Sequence, residues 1–152
     1  MIKNGEPYVL EYNVRMGDPE CQPITMRIDF DLFDYLNGAV DGTLSSLPAP
    51  AWKKQSAVCI VLASKGYPES YPQNEEILGL SSQSDNSHVF HASTKKENNT
   101  ILTNGGRVLG VTALGDSLES AISNAYAATQ KISWPHKYCR ADIGKKDLIT
   151  EL

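Results

Sequence analysis

Cysteine is scarce and poorly spaced for either of its usual structural uses. The three thiols, Cys21, Cys59 and Cys139, are odd in number, far apart and free of any C-x-x-C pair. That spacing argues against a disulfide framework and a thiolate zinc site, and it fits a reducing, cytoplasmic compartment. Long apolar runs are missing as well. No stretch approaches the ~18 residues of a membrane span, and the polar opening Met1 to Glu6 lacks the apolar core of a secretory signal. A soluble chain without a membrane partner is therefore expected. Basic charge is short and dispersed: 14 Lys and Arg stand against 18 Asp and Glu, a net charge of −4, which leaves no field to gather nucleic acid. No G-x-S-x-G elbow exists to expose a strained serine, so a hydrolase triad has no anchor. The tract Ser81 to Ser87 contains no glycine and is expected to be an exposed loop rather than a phosphate cradle. His88 and His91 are three apart, but in a strand they would face opposite ways, which argues against a metal pair.

What the 152 residues contain is apolar material for one core and an appended piece. Asp29 to Val40 predicts a helix, with Leu32, Phe33, Leu36 and Val40 at helical spacing, Asp29, Asp31 and Asp34 crowding the start, and Gly42 as a stop. From Thr43 to Pro50 serine and proline replace any periodicity, which predicts a linker and a boundary near Leu47. Ala57 to Ala63 is a continuous apolar run suited to a buried strand. Glu76 to Leu80, His88 to Thr94, Asn99 to Thr103 and Arg107 to Ala113 are further predicted strands, the last two joined by the turn Asn104-Gly105-Gly106. A closing helix carries Leu118, Ala121, Ile122, Ala125, Thr129 and Ile132 on one stripe, with Asp116 and Glu119 as its capping-box start and Pro135 as its end.

The most informative stretch is Tyr8 to Glu20, Y-V-L-E-Y-N-V-R-M-G-D-P-E. Read as a strand, it puts Val9, Glu11, Asn13 and Arg15 on one side and Tyr8, Leu10, Tyr12 and Val14 on the other, with same-face neighbours roughly 7 Å apart. A carboxylate and an amide oxygen two residues apart can both point at a hard cation, so Glu11 and Asn13 are candidate magnesium ligands. Arg15 offers a planar fork to a phosphate or carboxylate. By itself such a row is also the ordinary solvated face of an antiparallel strand. Gly17-Asp18-Pro19-Glu20 then forms a turn. Asn4-Gly5 is a hairpin signal with only Met1, Ile2 and Lys3 before it to supply a partner strand, so the chain is expected to be cut from, or one piece of, something longer.

E-Y-N-V-R-M-G-D-P-E-C-Q resembles the metal-binding end of the ATP-grasp domain in the phosphoribosylamine-glycine ligase (glycinamide ribonucleotide synthetase) family. V-L-A-S-K-G-Y-P (61 to 68), V-F-H-A-S-T-K (89 to 95), T-N-G-G-R-V-L-G-V-T-A-L-G (103 to 115) and C-R-A-D-I-G (139 to 144) resemble further segments of that family, in its order. The resemblance covers the C-terminal third of such an enzyme. It implies an α+β fold: residues 1–46 as the end of an ATP-grasp lobe, a β-hairpin and helix with the metal-binding strand, and residues 47–152 as a small strand-rich C-terminal domain closed by a helix. Three positions depart from the family's glycines, at Glu69, Asn74 and Ser93. Asparagine tolerates a positive φ there and glutamate does so less well.

The implied activity joins glycine to phosphoribosylamine with ATP in purine biosynthesis, through a glycyl phosphate whose carbonyl is taken by the sugar amine. On that resemblance Glu11 and Asn13 hold Mg2+ or Mn2+ against the ATP phosphates, and Arg15 stabilises the acyl phosphate or orients the carboxylate. Gly17 and Asp18 hold the amine-bearing substrate, while Lys95 and Arg107 contact the ribose phosphate. From the residues alone, Lys65 is a solvated strand end and Lys95 is equally suited to solvent or a phosphate. Gly105 and Gly106 would admit a ligand to bare backbone or simply serve a turn, and Arg140 and Asp142 pair with each other. The chain has no glycine-rich loop or lysine set for ATP, so activity is expected to need the N-terminal lobes of the same enzyme. Two alternatives stay open: another ATP-grasp ligase or carboxylase, and a non-catalytic binding module.

Overall fold

Two nine-residue strands, apolar through most of their length, organise the molecule. They lie at Ser56–Ser64 and Arg107–Gly115 and pair antiparallel from Ser56↔Gly115 to Leu62↔Leu109, with a register slip at Leu62/Ala63. The computed structural model describes residues 1–81 and 84–145. In chain order the elements are β1 (Ile2–Lys3), β2 (Glu6–Pro7), α1 (Cys21–Arg27), α2 (Leu32–Asp41), a 3-10 turn (Leu44–Ser46), β3 (Ser56–Ser64), β4 (Ser87–His91), β5 (Thr94–Glu97), β6 (Thr100–Thr103), β7 (Arg107–Gly115), α3 (Leu118–Gln130) and β8 (Lys137–Tyr138). The main sheet is ordered β4-β7-β3-β8 and is antiparallel throughout.

Both faces of β3 and β7 are covered, which is why their sequences are continuously apolar instead of alternating. Val58, Ile60 and Leu62 with Leu109, Val111 and Ala113 form the core with Ala121, Ile122 and Ala125 of α3. The opposite face carries Cys59, Gly110 and Thr112, and α1 lies over it: Gln22 sits above Gly110. Among the described residues no helix is long and apolar enough to cross a membrane.

Several expectations change. Tyr8 to Arg15 is not a paired strand. Asn4-Gly5 does turn a hairpin, with both residues at positive φ, but Met1 and Tyr8 already exchange backbone bonds of 2.7 and 2.8 Å across it. The three residues before the turn are spent there, and Val9 to Val14 run exposed without a backbone partner among the described residues. Glu76 to Leu80 makes only single bridges, Glu76↔Leu102 and Leu78↔Ser133, because Gly79 at φ 83 turns the chain against Lys131. His88 to Thr94 is divided at Ala92-Ser93 between the main sheet and the separate β5-β6 pair. Asn98 and Asn99, both at positive φ, make the two-residue turn of that pair. Asn104 to Gly106 therefore links two sheets and does not turn a hairpin.

The helices shift less. α2 starts at Asp31, whose carboxylate accepts from Phe33 N at 2.9 Å, and stops at Gly42 with φ 70. Its stripe is not covered: Phe33, Leu36 and Val40 are all exposed. The capping box of α3 is Ser117/Ser120, not Asp116/Glu119, with Ser120 N donating to Ser117 Oγ at 3.2 Å and Ser117 N to Ser120 Oγ at 3.0 Å. Its last residue is Gln130, well before Pro135. In the tract Ser81 to Ser87, Ser87 is buried at the start of β4, while residues 82–83 lie outside the described residues. The sequence pattern signals neither α1 nor β8. Pro23 disguises α1, although at the third helical position its missing N–H costs no intrahelical bond.

Candidate functional site

Gly17-Asp18 leads into α1, and because α1 rests on β3 and β7, Asp18 is carried to the start of β7. There Asp18 Oδ2 accepts from Arg107 Nη2 at 2.7 Å, an ion pair between residues 89 apart in sequence. It stands at a cleft of about 460 Å³ lined also by Tyr67, Tyr71, Ala92, Ser93, Asn104, Gly105 and Gly106. The cleft floor is pinned from two sides. Ser64 N donates to Gly106 O at 2.8 Å and Ser64 Oγ to Gly105 O at 3.3 Å, while Asn104 N donates to Ser93 O at 2.9 Å and Ser93 N to Arg107 O at 3.1 Å. The bare glycines are filled by the protein itself. A Cβ on Gly106 would overlap the Tyr67 ring, and one on Gly105 would meet the Ser93 side chain.

Glu11 and Asn13 do come together, with Asn13 Nδ2 donating to Glu11 Oε1 at 3.0 Å on the exposed segment. The amide nitrogen, not the amide oxygen, faces the carboxylate here, so a hard cation, which takes oxygen donors, would require the Asn13 amide to turn over. Among the described residues no group of three or more His, Cys, Asp or Glu is placed to hold a metal. Arg15 is turned away from Glu11 and Asn13: its Nη1 donates to Met16 O at 2.9 Å. Lys95 lies outside the cleft on β5, paired with Glu97 at 2.6 Å. Arg140 and Asp142 form the expected local pair, which holds the guanidinium above its ordinary value. Burial pushes the Cys59 thiol up, the Thr112 hydroxyl works against that, and the Asp18 charge adds to the rise. Cys59 is a free thiol buried under α1.

Of the three family departures, only Asn74 has a positive φ, at 64°. Neither Glu69 nor Ser93 does. Glu69 N closes a turn on Gly66 O at 2.9 Å. Sequence reasoning missed Tyr67, Tyr71, Ser93 and Asn104 as cleft residues. The G-Y-P run signalled only a strand break, and nothing in it shows that Tyr67 lies over Gly106. A second groove of about 450 Å³ runs past Ile24, Arg27, Trp52 and Leu118, but its one charged group, Arg27, is turned to Lys53 O at 3.2 Å. Of these two openings, the Asp18–Arg107 cleft is the one that holds an ion pair.

Together these features define a small antiparallel α+β domain with a polar cleft that carries one paired acid and base, preceded by an exposed segment with Glu11 and Asn13. The chain belongs to the family described as phosphoribosylglycinamide synthetase, C domain, whose model matches residues 57–146. It is 43% identical over 152 residues to a phosphoribosylamine-glycine ligase of Rhodopirellula baltica, covering 99% of this chain and 35% of that protein. To the same enzyme of Agrobacterium fabrum it is 42% identical over 151 residues, covering 99% of this chain and 36% of that protein. The crystal structure of phosphoribosylamine-glycine ligase from Thermotoga maritima superimposes with a TM-score of 0.70 at 32% identity, over 91% of this chain and 34% of that one. The chain thus spans about a third of the length of the curated relatives it matches.

Proposed function

We propose that this chain forms the C-terminal part of an ATP-grasp ligase that joins glycine to phosphoribosylamine, working with N-terminal lobes of the kind its relatives possess. The observation that carries the reading is the Asp18–Arg107 ion pair. It ties the turn after the oxygen-donor segment to a cleft that offers one cation, one anion and amide and hydroxyl groups from Asn104 and Ser93. Arg107 takes the substrate phosphate through charge-assisted hydrogen bonds. Asp18 accepts a proton-bearing nitrogen or hydroxyl of the sugar amine, with the Gly17 backbone beside it. Lys95 reaches the same substrate only by leaving Glu97.

Residues 1–46 are assigned to the end of the ATP-grasp lobe and residues 47–152 to the C-terminal domain. The exposed apolar side chains of Tyr8 to Val14 and of α2 support this, since such a face is expected to be covered by protein. Glu11 and Asn13 would hold Mg2+ or Mn2+, which supplies charge neutralisation to the nucleotide phosphates. Arg15, freed from Met16 O, orients a carboxylate. These groups position and neutralise charge, which is what phosphoryl transfer asks of a protein.

Supplying the chain with the remaining, N-terminal part of the Rhodopirellula baltica relative is expected to give ATP- and glycine-dependent consumption of phosphoribosylamine that Glu11→Ala abolishes. Turnover by the 152-residue chain alone, or full activity of the Glu11→Ala complex, would refute the reading.

A further inference from the structure

Tyr67 is held on two sides. Its ring rests on the bare backbone of Gly106, and Tyr71 meets it edge-on with centroids 5.9 Å apart at 61°. Behind it Gly66 adopts φ 107, and Tyr67 N donates to Ser64 O at 3.1 Å. Despite this clamp the residue stays 44% exposed, and it lines the cleft that Arg107 also lines. A large aromatic group fixed by packing yet left open loses little conformational freedom when a ligand covers it. Its π-face is negative and attracts polarised C–H groups. Tyr67 and Arg107 line the same cleft, so a ligand whose phosphate sits on the guanidinium has the Tyr67 ring as a wall of the space left for its sugar.

Resting on the reading of this cleft as the sugar-phosphate site, we propose that Tyr67 is the platform on which the pentose ring of the substrate stacks, with Gly106 required to seat it. Gly106 is glycine, on this account, because its missing side chain lets Tyr67 lie low enough to floor the pocket. The clamp also gives discrimination. An anion without a sugar gains nothing from Tyr67, whereas a pentose phosphate gains both contacts.

The test uses the 152-residue chain titrated with ribose 5-phosphate and, separately, with inorganic phosphate, followed by calorimetry and by the NMR signals of the tyrosine rings. Ribose 5-phosphate is expected to bind on the order of three- to tenfold more tightly than phosphate, the range of one aromatic stacking contact. The Tyr67 ring signals should shift only with the sugar phosphate. Tyr67→Leu should erase the difference and leave phosphate binding unchanged, Tyr67→Phe should retain it, and Gly106→Ala should reproduce the loss by unseating the ring. Ribose 5-phosphate bound as tightly by folded Tyr67→Leu, or with unshifted Tyr67 signals in the unmodified chain, overturns the stacking role alone. Failure of the unmodified chain to bind either probe overturns the reading of the cleft and the stacking role with it.

Discussion

Arg107→Met separates what the Asp18–Arg107 pair does for stability from what it does for ligands. The charged atoms are 2.7 Å apart, and the two side chains keep 45% and 53% of their exposure. At that distance in bulk water the Coulomb attraction is about 1.5 kcal/mol. Ordering two mobile side chains offsets most of it, so exposed pairs net roughly 0.2 to 1 kcal/mol. Methionine keeps much of the aliphatic stem and removes only the guanidinium, so lost packing does not confuse the comparison. A double-mutant cycle of Arg107→Met and Asp18→Asn, read by urea denaturation, is expected to give a coupling below about 1 kcal/mol that shrinks further in high salt. Ribose 5-phosphate binding should respond far more. Losing a charge-assisted hydrogen bond worth about 1.5 to 3 kcal/mol weakens it on the order of ten- to a hundredfold in Arg107→Met. Asp18→Asn should tighten the binding of inorganic phosphate instead, because the competing carboxylate no longer engages the guanidinium and phosphate has no sugar group for Asp18 to hold. A coupling above about 2 kcal/mol in the unliganded chain, with unchanged ribose 5-phosphate affinity in Arg107→Met, would make the pair a structural clasp and refute the reasoning.

The buried Cys59 thiol has a folded-state pKa above its ordinary value, so as pH climbs past the ordinary thiol range the unfolded chain ionises first and stability falls until the folded value is passed. Urea midpoints of Cys59→Ala should therefore decline less over the alkaline range than those of the unmodified chain, and parallel declines would contradict this. Val40→Ser on the open stripe of α2, where Val40 is 87% exposed, should change the stability of this chain by less than about 0.5 kcal/mol. The same change should weaken association with the N-terminal lobes at least several-fold, and equal association would show that the stripe faces solvent there too.

The parts of the fold legible in the sequence are those whose signals are local. Ala57 to Ala63 announces a strand covered on both faces, and Gly42 marks the end of α2 through a left-handed stop, while the start read at Asp29 falls at Asp31, the side chain that caps the helix. Glu11 and Asn13, two apart in an extended segment, do meet. What escaped reading depends on distant partners. Whether Tyr8 to Arg15 forms a strand is decided by a neighbour to pair with, not by its alternation, and the described chain offers none. The Phe33, Leu36 and Val40 stripe has the spacing of a buried helix face, yet all three side chains are exposed, because helical spacing says nothing of whether a surface lies opposite. Gly106 looks like a turn residue because the ring that needs its bare Cα lies 39 positions earlier, at Tyr67.

A geometric consequence of α1 joins the two halves of the proposed site. Asn13 precedes Asp18 by five residues, so even fully extended the chain separates them by on the order of 17 Å. Asp18 is not free to wander, because α1 begins three residues later and is packed on the face of the sheet opposite α3. On the proposed reading the cation donors are therefore tethered within a short, bounded reach of the sugar-phosphate cleft before any other lobe is added. N-terminal lobes of the kind the relatives have would then need to bring nucleotide and glycine to Glu11 and Asn13, and the distance to the second substrate would already be limited by this segment. On that same reading the sheet would serve by fixing Asp18 and Arg107 at one end of the tether, while the exposed residues Val9 to Val14 leave the other end open to pair with those lobes.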